Sequence, residues 1–189
     1  QRNLKKDVTQ INPVIAEARN RMLLAATKQG ASGVPSGFHS LDKITSGWQR
    51  SDLIIIAARP AMGKTAFILS MAKNMAVDYN SPVAVFSLEM SNVQLVNRLI
   101  MNVCQLEGEK IKNGQLDKYE WEKFDKDINL LLDAPIYVDD TPSLSIFFFF
   151  CKARRLVKEH KIQCIIIDYL QLMNASGMSF GSREQEVSI

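Results

Sequence analysis

The run Ile54-Ile55-Ile56-Ala57-Ala58-Arg59-Pro60-Ala61-Met62-Gly63-Lys64-Thr65-Ala66 constrains the fold more than any other stretch of the chain. Consecutive isoleucines predict a buried strand, and the Arg-Pro pair ends it in a loop. Phe67, Ile68, Met71, Ala72 and Met75 then recur at helical spacing, so the segment is expected to read strand, loop, helix. Its Gly63-Lys64-Thr65 ending is that of a P-loop. Such a loop turns successive backbone N–H groups toward one point at a helix N-terminus, where unsatisfied donors and the helix dipole favour a polyphosphate. Lys64 would reach the β- and γ-phosphates, and the Thr65 hydroxyl would take the accompanying Mg²⁺. The full pattern has a glycine five residues before Gly63, where this chain has Ala58. A Gly-Lys-Thr triplet also occurs on ordinary surface helices. The strand before it and the helix after it favour phosphate binding over a plain turn.

The 189 residues are 47% hydrophobic and 23% charged, enough for one globular core plus an appendage. A net charge of +3 and a pI near 8.8 neither require nor exclude a nucleic-acid partner. Cys104, Cys151 and Cys164 are odd in number, far apart and set among apolar residues, which predicts small buried thiols rather than disulfides or a metal site. The basic N-terminus with Arg2, Lys5 and Lys6 has no apolar run behind it, and no stretch approaches membrane-spanning length. A soluble intracellular chain is expected.

Asn12-Pro13 predicts a helix start, with Asn12 as cap and Pro13 in the first turn. Ile11, Val14, Ile15, Ala18, Met22, Ala25 and Ala26 form one stripe, and Gly30 is the natural stop. This helix packs either on its own domain or elsewhere, because Ala31 to Gly37 is rich in Gly, Ser and Pro and would hold it loosely. A short helix is expected within Phe38 to Gly47. The apolar run Val83 to Leu88 predicts a parallel strand covered on both faces, with Glu89 at its C-terminal end. Ligands bind at that edge of open α/β sheets. A helix from Asn92 to Leu106 should turn Val93, Val96, Leu99, Ile100 and Val103 inward; Glu107 to Gln115 reads as a polar loop and Tyr119 to Leu132 as a further helix.

Ile136-Tyr137-Val138 predicts a short strand ending in Asp139-Asp140. Adjacent strand residues face opposite ways, so these carboxylates suit turn or capping roles better than a shared metal. The helix that follows contains Phe147 to Phe150, more apolar surface than one buried stripe, so at least one ring should be exposed or at an interface. Lys152, Arg154, Arg155, Lys158 and Lys161 read as a solvated face before a nucleic-acid patch. His39 and His160 have no partner in sequence that would make either a base. Cys164-Ile165-Ile166-Ile167-Asp168 predicts a strand ending in a carboxylate that could hold Mg²⁺ together with Thr65.

Taken together, the loop from Ala57 to Thr65, the stretch Ser87-Leu88-Glu89-Met90 and the stretch from Ile166 to Met173 resemble the motor domain of the bacterial replicative DNA helicases, the DnaB family. Gly33-Val34-Pro35-Ser36-Gly37-Phe38, with Leu41-Asp42 and Gly47-Trp48, resembles the lead-in to that family's RecA-like core. The family's loop also begins Ala-Arg-Pro, which accounts for Ala58. The resemblance implies an α/β RecA-like P-loop NTPase core, with a mostly parallel sheet and helices on both faces. It divides the chain into a linker helix and hinge over 1–32 and a partial core over 33–189.

By the same resemblance, Arg59, Pro60, Ala61, Met62, Gly63, Lys64, Thr65 and Ala66 would bind ATP, Thr65 and Asp168 would hold Mg²⁺, and Lys64 and Glu89 would serve catalysis, Glu89 by polarising the attacking water. It implies a homo-hexamer joined through the linker helix, acting on single-stranded DNA with a primase and a helicase loader in the bacterial cytoplasm, without a membrane. The family's primase-gathering N-terminal domain is absent from this sequence. Its further strands, DNA-contacting loops, phosphate-sensing glutamine and arginine finger would lie past Ile189, so this piece alone is expected to bind nucleotide poorly and to unwind nothing. The family also has a more mixed sequence where this chain has four phenylalanines. The alternatives are a RecA-like recombinase or repair ATPase on the same fold, a small-molecule P-loop kinase, and an assembly protein that binds nucleotide without turning it over.

Overall fold

Three parallel strands, β1 (Val83–Ser87), β2 (Ile136–Asp139) and β3 (Cys164–Asp168), form a sheet in the order β2-β1-β3. The computed structural model describes residues 10–27 and 33–173. Val83 lies opposite Ile136 on one side and Cys164 on the other, which brings Ser87 level with Asp168 at the C-terminal edge. All five β1 residues are buried, as a central strand covered on both faces requires.

The helices are α1 (Ile11–Thr27), α2 (His39–Thr45), α3 (Lys64–Lys73), α4 (Asn92–Cys104), α5 (Gly108–Asn113), α6 (Lys118–Asp127), α7 (Asn129–Leu132) and α8 (Ile146–His160). One face of the sheet packs Val83, Val85 and Ile166 against Ile68, Met71 and Met75 from α3 and its continuation, and against Leu95 and Leu99 of α4. The other face packs Ala84 and Phe86 with Leu144 and Ile162, and Phe149 of α8 meets Phe86 edge-on at 5.0 Å. Helices therefore cover both faces, as the sequence predicts.

The expected strand at Ile54 to Ala57 is not formed. Residues 52–59 carry no helix or strand, and Leu53 and Ile55 are 86% and 80% exposed. An apolar run becomes a strand only where another backbone completes its ladder, and among the described residues none pairs with it. Only Ile56 of the run packs partly against the core.

Smaller corrections follow from packing. α1 begins at Ile11, so Asn12 and Pro13 fall inside its first turn rather than at its boundary. The described side chains of its stripe are not packed on this domain: Ile11, Val14, Ile15, Ala18 and Met22 are all exposed, while the side chains of Ala25 and Ala26 and all of Gly30, Ala31 and Ser32 lie outside the described residues. In α4 it is Leu95, Leu99 and Cys104 that are buried, and Val93 and Val96 face out. A capping box, Ser91 with Gln94, fixes the start of α4 and so its rotation.

The expected loop from Glu107 to Gln115 contains α5. It starts close against α4: a Cβ at Gly108 would lie 2.7 Å from Sδ of the flexible Met101 side chain. The expected helix from Tyr119 to Leu132 is two pieces, α6 and α7, the first opened by an Asp117–Glu120 capping box. Cys151 is exposed, against the expectation of three buried thiols; Cys104 is buried and Cys164 intermediate.

The lead-in segment is tied down by short-range chemistry. Val34 and Trp48 form an isolated antiparallel bridge, and Gly33 belongs there because a Cβ would sit 2.5 Å from the Trp48 carbonyl oxygen. The Asp42 carboxylate accepts from the Ser36 and Gly37 amides, the Asn74 side chain donates to the Gly37 carbonyl, and Phe38 stacks on Phe67 of α3 at 4.8 Å. These contacts clamp the lead-in to the helix that follows the P-loop.

Candidate functional site

The loop Arg59–Gly63 folds over itself through a hydrogen bond from the Met62 amide to the Arg59 carbonyl, with Ala61 and Gly63 in the left-handed region (φ +64° and +83°). Gly63 precedes α3 as its cap residue, and no side chain caps that helix. The first-turn N–H groups are therefore left for a ligand or solvent. A Cβ at Gly63 would meet nothing within 4 Å, so the loop fronts open space rather than protein. Arg59, Pro60, Ala61, Met62 and Ala66 are exposed, and Lys64 and Thr65 are half-buried.

Asp168 ends β3 and is 4% exposed, a buried carboxylate that needs compensation. It obtains this from the P-loop, 103 residues away in sequence: the Thr65 hydroxyl donates to its Oδ2 at 2.8 Å, and the Lys64 ammonium lies 2.9 Å from its Oδ1. Tyr169, next in the chain, places its ring 4.4 Å from the same ammonium. Lys64, Thr65 and Asp168, chosen from two distant motifs, are thus brought into direct contact.

Glu89 is placed at the same sheet edge but not in that contact. Ser87 pairs with Asp168 in register, the Leu88 amide donates to the Asp168 carbonyl at 2.8 Å, and the chain then turns. The turn is fixed by the Ser87 hydroxyl, which donates to the Met90 carbonyl and accepts from the Met90 amide. Glu89 sits exposed on this turn, and no described residue holds its carboxylate. An open cleft of about 830 Å³ runs between α3 and α4–α5 from Ala66 and Met90 past Leu69, Arg98 and Met101 to Lys112.

The donor set, one buried carboxylate, one hydroxyl, one ammonium and an uncapped helix N-terminus, has the chemistry to hold a divalent cation beside a polyphosphate. Asp139 and Asp140 take the architectural roles expected of them. Asp140 accepts from the Asn92 amide and side chain at the start of α4, and Asp139 accepts from the Thr141 amide and pairs with Lys152 of α8. His160 stacks on Tyr137 at 4.3 Å. Tyr169 and Ser87 were not singled out by sequence reasoning. The signal available for Tyr169 was its position directly after the strand-ending acid; a serine at a strand end carried none.

A parallel sheet with helices on both faces, and a P-loop in contact with the acid that ends β3, are the arrangement of a RecA-like P-loop core. The model of the DnaB-like helicase C-terminal domain matches residues 33–189, and the chain belongs to that family. The replicative DNA helicase DnaB of Geobacillus stearothermophilus is 43% identical over 179 residues, covering 94% of this chain and 39% of that protein. A solved ATPase domain superposes with a TM-score of 0.84 at 31% identity, covering 96% of this chain and 64% of that one. A structure of a DnaB-like replicative helicase and its interactions with primase superposes with a TM-score of 0.82 at 31% identity, covering 98% of this chain and 44% of that one. The chain thus spans well under half the length of the full helicase it matches in sequence. Among the described residues no helix is long and apolar enough to cross a membrane.

Proposed function

We propose that this chain is the nucleotide-binding part of a replicative helicase motor, in which hydrolysis of ATP drives movement on single-stranded DNA and unwinding of duplex. The contact of Lys64 and Thr65 with Asp168 carries the reading. Residues 59–66 would hold the triphosphate, with the uncapped N–H groups of α3 and the Lys64 ammonium directed at its oxygens. Thr65 and Asp168 would hold Mg²⁺, which when bound neutralises charge developing on the β- and γ-oxygens. For this, Lys64 leaves Asp168 for phosphate, while the Thr65–Asp168 hydrogen bond can persist. Glu89, on its serine-braced turn, would orient and polarise the attacking water. Its exposure fits a group that is completed only when ligand or a neighbouring subunit closes the site.

In this reading the whole protein is a hexamer. α1 is the linker helix that engages a neighbouring subunit, residues 1–32 and 33–189 are separate units, and primase and a loader are its partners. Kinship with DnaB supports this over a recombinase. The test is ATPase activity of the complete gene product with and without single-stranded DNA. Lys64→Ala is expected to abolish turnover. Glu89→Gln should leave nucleotide binding intact and slow hydrolysis by about 10²-fold or more. DNA stimulation should fall steeply with added salt, as phosphate contacts do. Turnover indifferent to DNA at low salt would refute the helicase reading, and unchanged turnover in Glu89→Gln would remove that residue from the chemistry.

A further inference from the structure

The Lys64 ammonium is held from two sides. Asp168 Oδ1 lies 2.9 Å away, and the Tyr169 ring centre 4.4 Å away, well inside the roughly 6 Å within which a cation is attracted to an aromatic face. The two holders differ in what a nucleotide would do to them. A carboxylate at the end of β3 is drawn toward any divalent cation that arrives, and its attraction for the lysine weakens as its charge is shared. The aromatic face repels phosphate, and a hydrated Mg²⁺ prefers carboxylate and water oxygens to a ring, so the face stays available to the ammonium. A lysine side chain released by its carboxylate would otherwise regain rotamer freedom and swing into solvent, because 28% of it is already exposed.

We propose that Tyr169 is a positioning residue for Lys64, its ring keeping the ammonium aimed at the P-loop while Asp168 is transferred from the lysine to the metal. This rests on Lys64 being the phosphate-binding lysine. The attraction is electrostatic, from the ring quadrupole, and does not need the phenolic hydroxyl. It therefore predicts a dependence on ring electronics that a packing role would not show.

The test has two parts. In the chain as it stands, the ε-methylene protons of Lys64 should show an upfield ring-current shift by NMR, retained in Tyr169→Phe and lost in Tyr169→Leu. In the complete gene product, affinity for a non-hydrolysable ATP analogue with Mg²⁺ should be retained in Tyr169→Phe and fall about three- to tenfold in Tyr169→Leu, the range expected of one partly desolvated cation–π contact. Replacing Tyr169 by phenylalanines bearing one, two and three ring fluorines, which drain the face of negative charge at nearly constant shape, should weaken binding in graded steps. A flat fluorine series, or one in which binding tightens, overturns the proposal, as does absence of the ring-current shift. Lys64→Ala separates the two readings: if it leaves analogue affinity unchanged, the phosphate-binding assignment itself fails. If it abolishes binding while the fluorine series is flat, only the role of Tyr169 is lost.

Discussion

A carboxylate at the end of a strand can serve chemistry or architecture, and in the proposed function Asp168 and Asp139 would divide these roles. Both end parallel strands and both meet a lysine, but Lys64 belongs to a loop open to ligand, whereas Lys152 is occupied by Asp139 and the Thr141 hydroxyl. Burial alone would raise the pKa of Asp139, yet the Lys152 and Thr141 hydrogen bonds outweigh it and hold the carboxyl below its ordinary value of 3.8. Because the folded value is the lower one, this group stabilises the fold at neutral pH, and its contribution fades as pH falls below about 4 and through the depressed value. Asp139→Asn is therefore expected to cost about 1–2 kcal/mol by urea unfolding at pH 7, and the gap from the parent should close at acid pH. A gap that persists at acid pH would assign the loss to packing. At this scale the sequence pointed to Lys64, Thr65 and Asp168, which the structure brings into contact, because each ends an apolar run or completes a motif; Glu89, read in the same way, lies at the same sheet edge outside that contact. The sequence did not disclose Tyr169, whose role depends on a distance no spacing rule encodes.

Elements were legible where one strong signal controls them. β1 and β3 are apolar runs flanked by turn residues, and the structure keeps both. The isoleucine run before the P-loop carries the same signal without becoming a strand, because hydropathy specifies burial and only a partner backbone supplies the ladder. α5 is not legible because it is one and a half turns of largely polar sequence with no side-chain cap and no apolar stripe to announce it. The four phenylalanines of α8 show how rotation sorts like residues. Phe149 turns inward onto Phe86, whereas Phe147, Phe148 and Phe150 are 70%, 62% and 53% exposed. Phe149→Ala should thus destabilise the chain by about 2–4 kcal/mol, as deletion of a largely buried ring does. Phe148→Ser should change stability by less than about 0.5 kcal/mol and raise solubility. Thermal unfolding with light scattering reads both quantities, and equal losses in the two variants would mean that α8 is rotated from the position described.

For the molecule as a whole, the conspicuous feature is α1, whose described large apolar side chains are uncovered: Ile11, Val14, Ile15, Met22 and Leu23 are all more than half exposed. Seventeen residues make a marginal helix in water, so an isolated α1 gains little from its own hydrogen bonds. Each apolar side chain it buries would contribute roughly 1.5–3 kcal/mol, which makes docking the condition for its persistence. In the proposed ring the surface that receives it is the neighbouring subunit, and placing charge on the stripe should then break assembly without unfolding the core. Val14→Glu with Ile15→Glu, made in the complete gene product, is expected to shift sedimentation velocity profiles from ring to smaller species. The far-ultraviolet circular dichroism and unfolding midpoint of the 189-residue chain carrying both substitutions should hardly change, since both side chains are more than half exposed. ATPase per subunit should fall with assembly and recover at high protein concentration, because mass action can offset a weakened contact but not a damaged site. An unaltered sedimentation profile would mean that the apolar face of α1 is covered from within its own subunit, and the ring would have to be held by other surfaces.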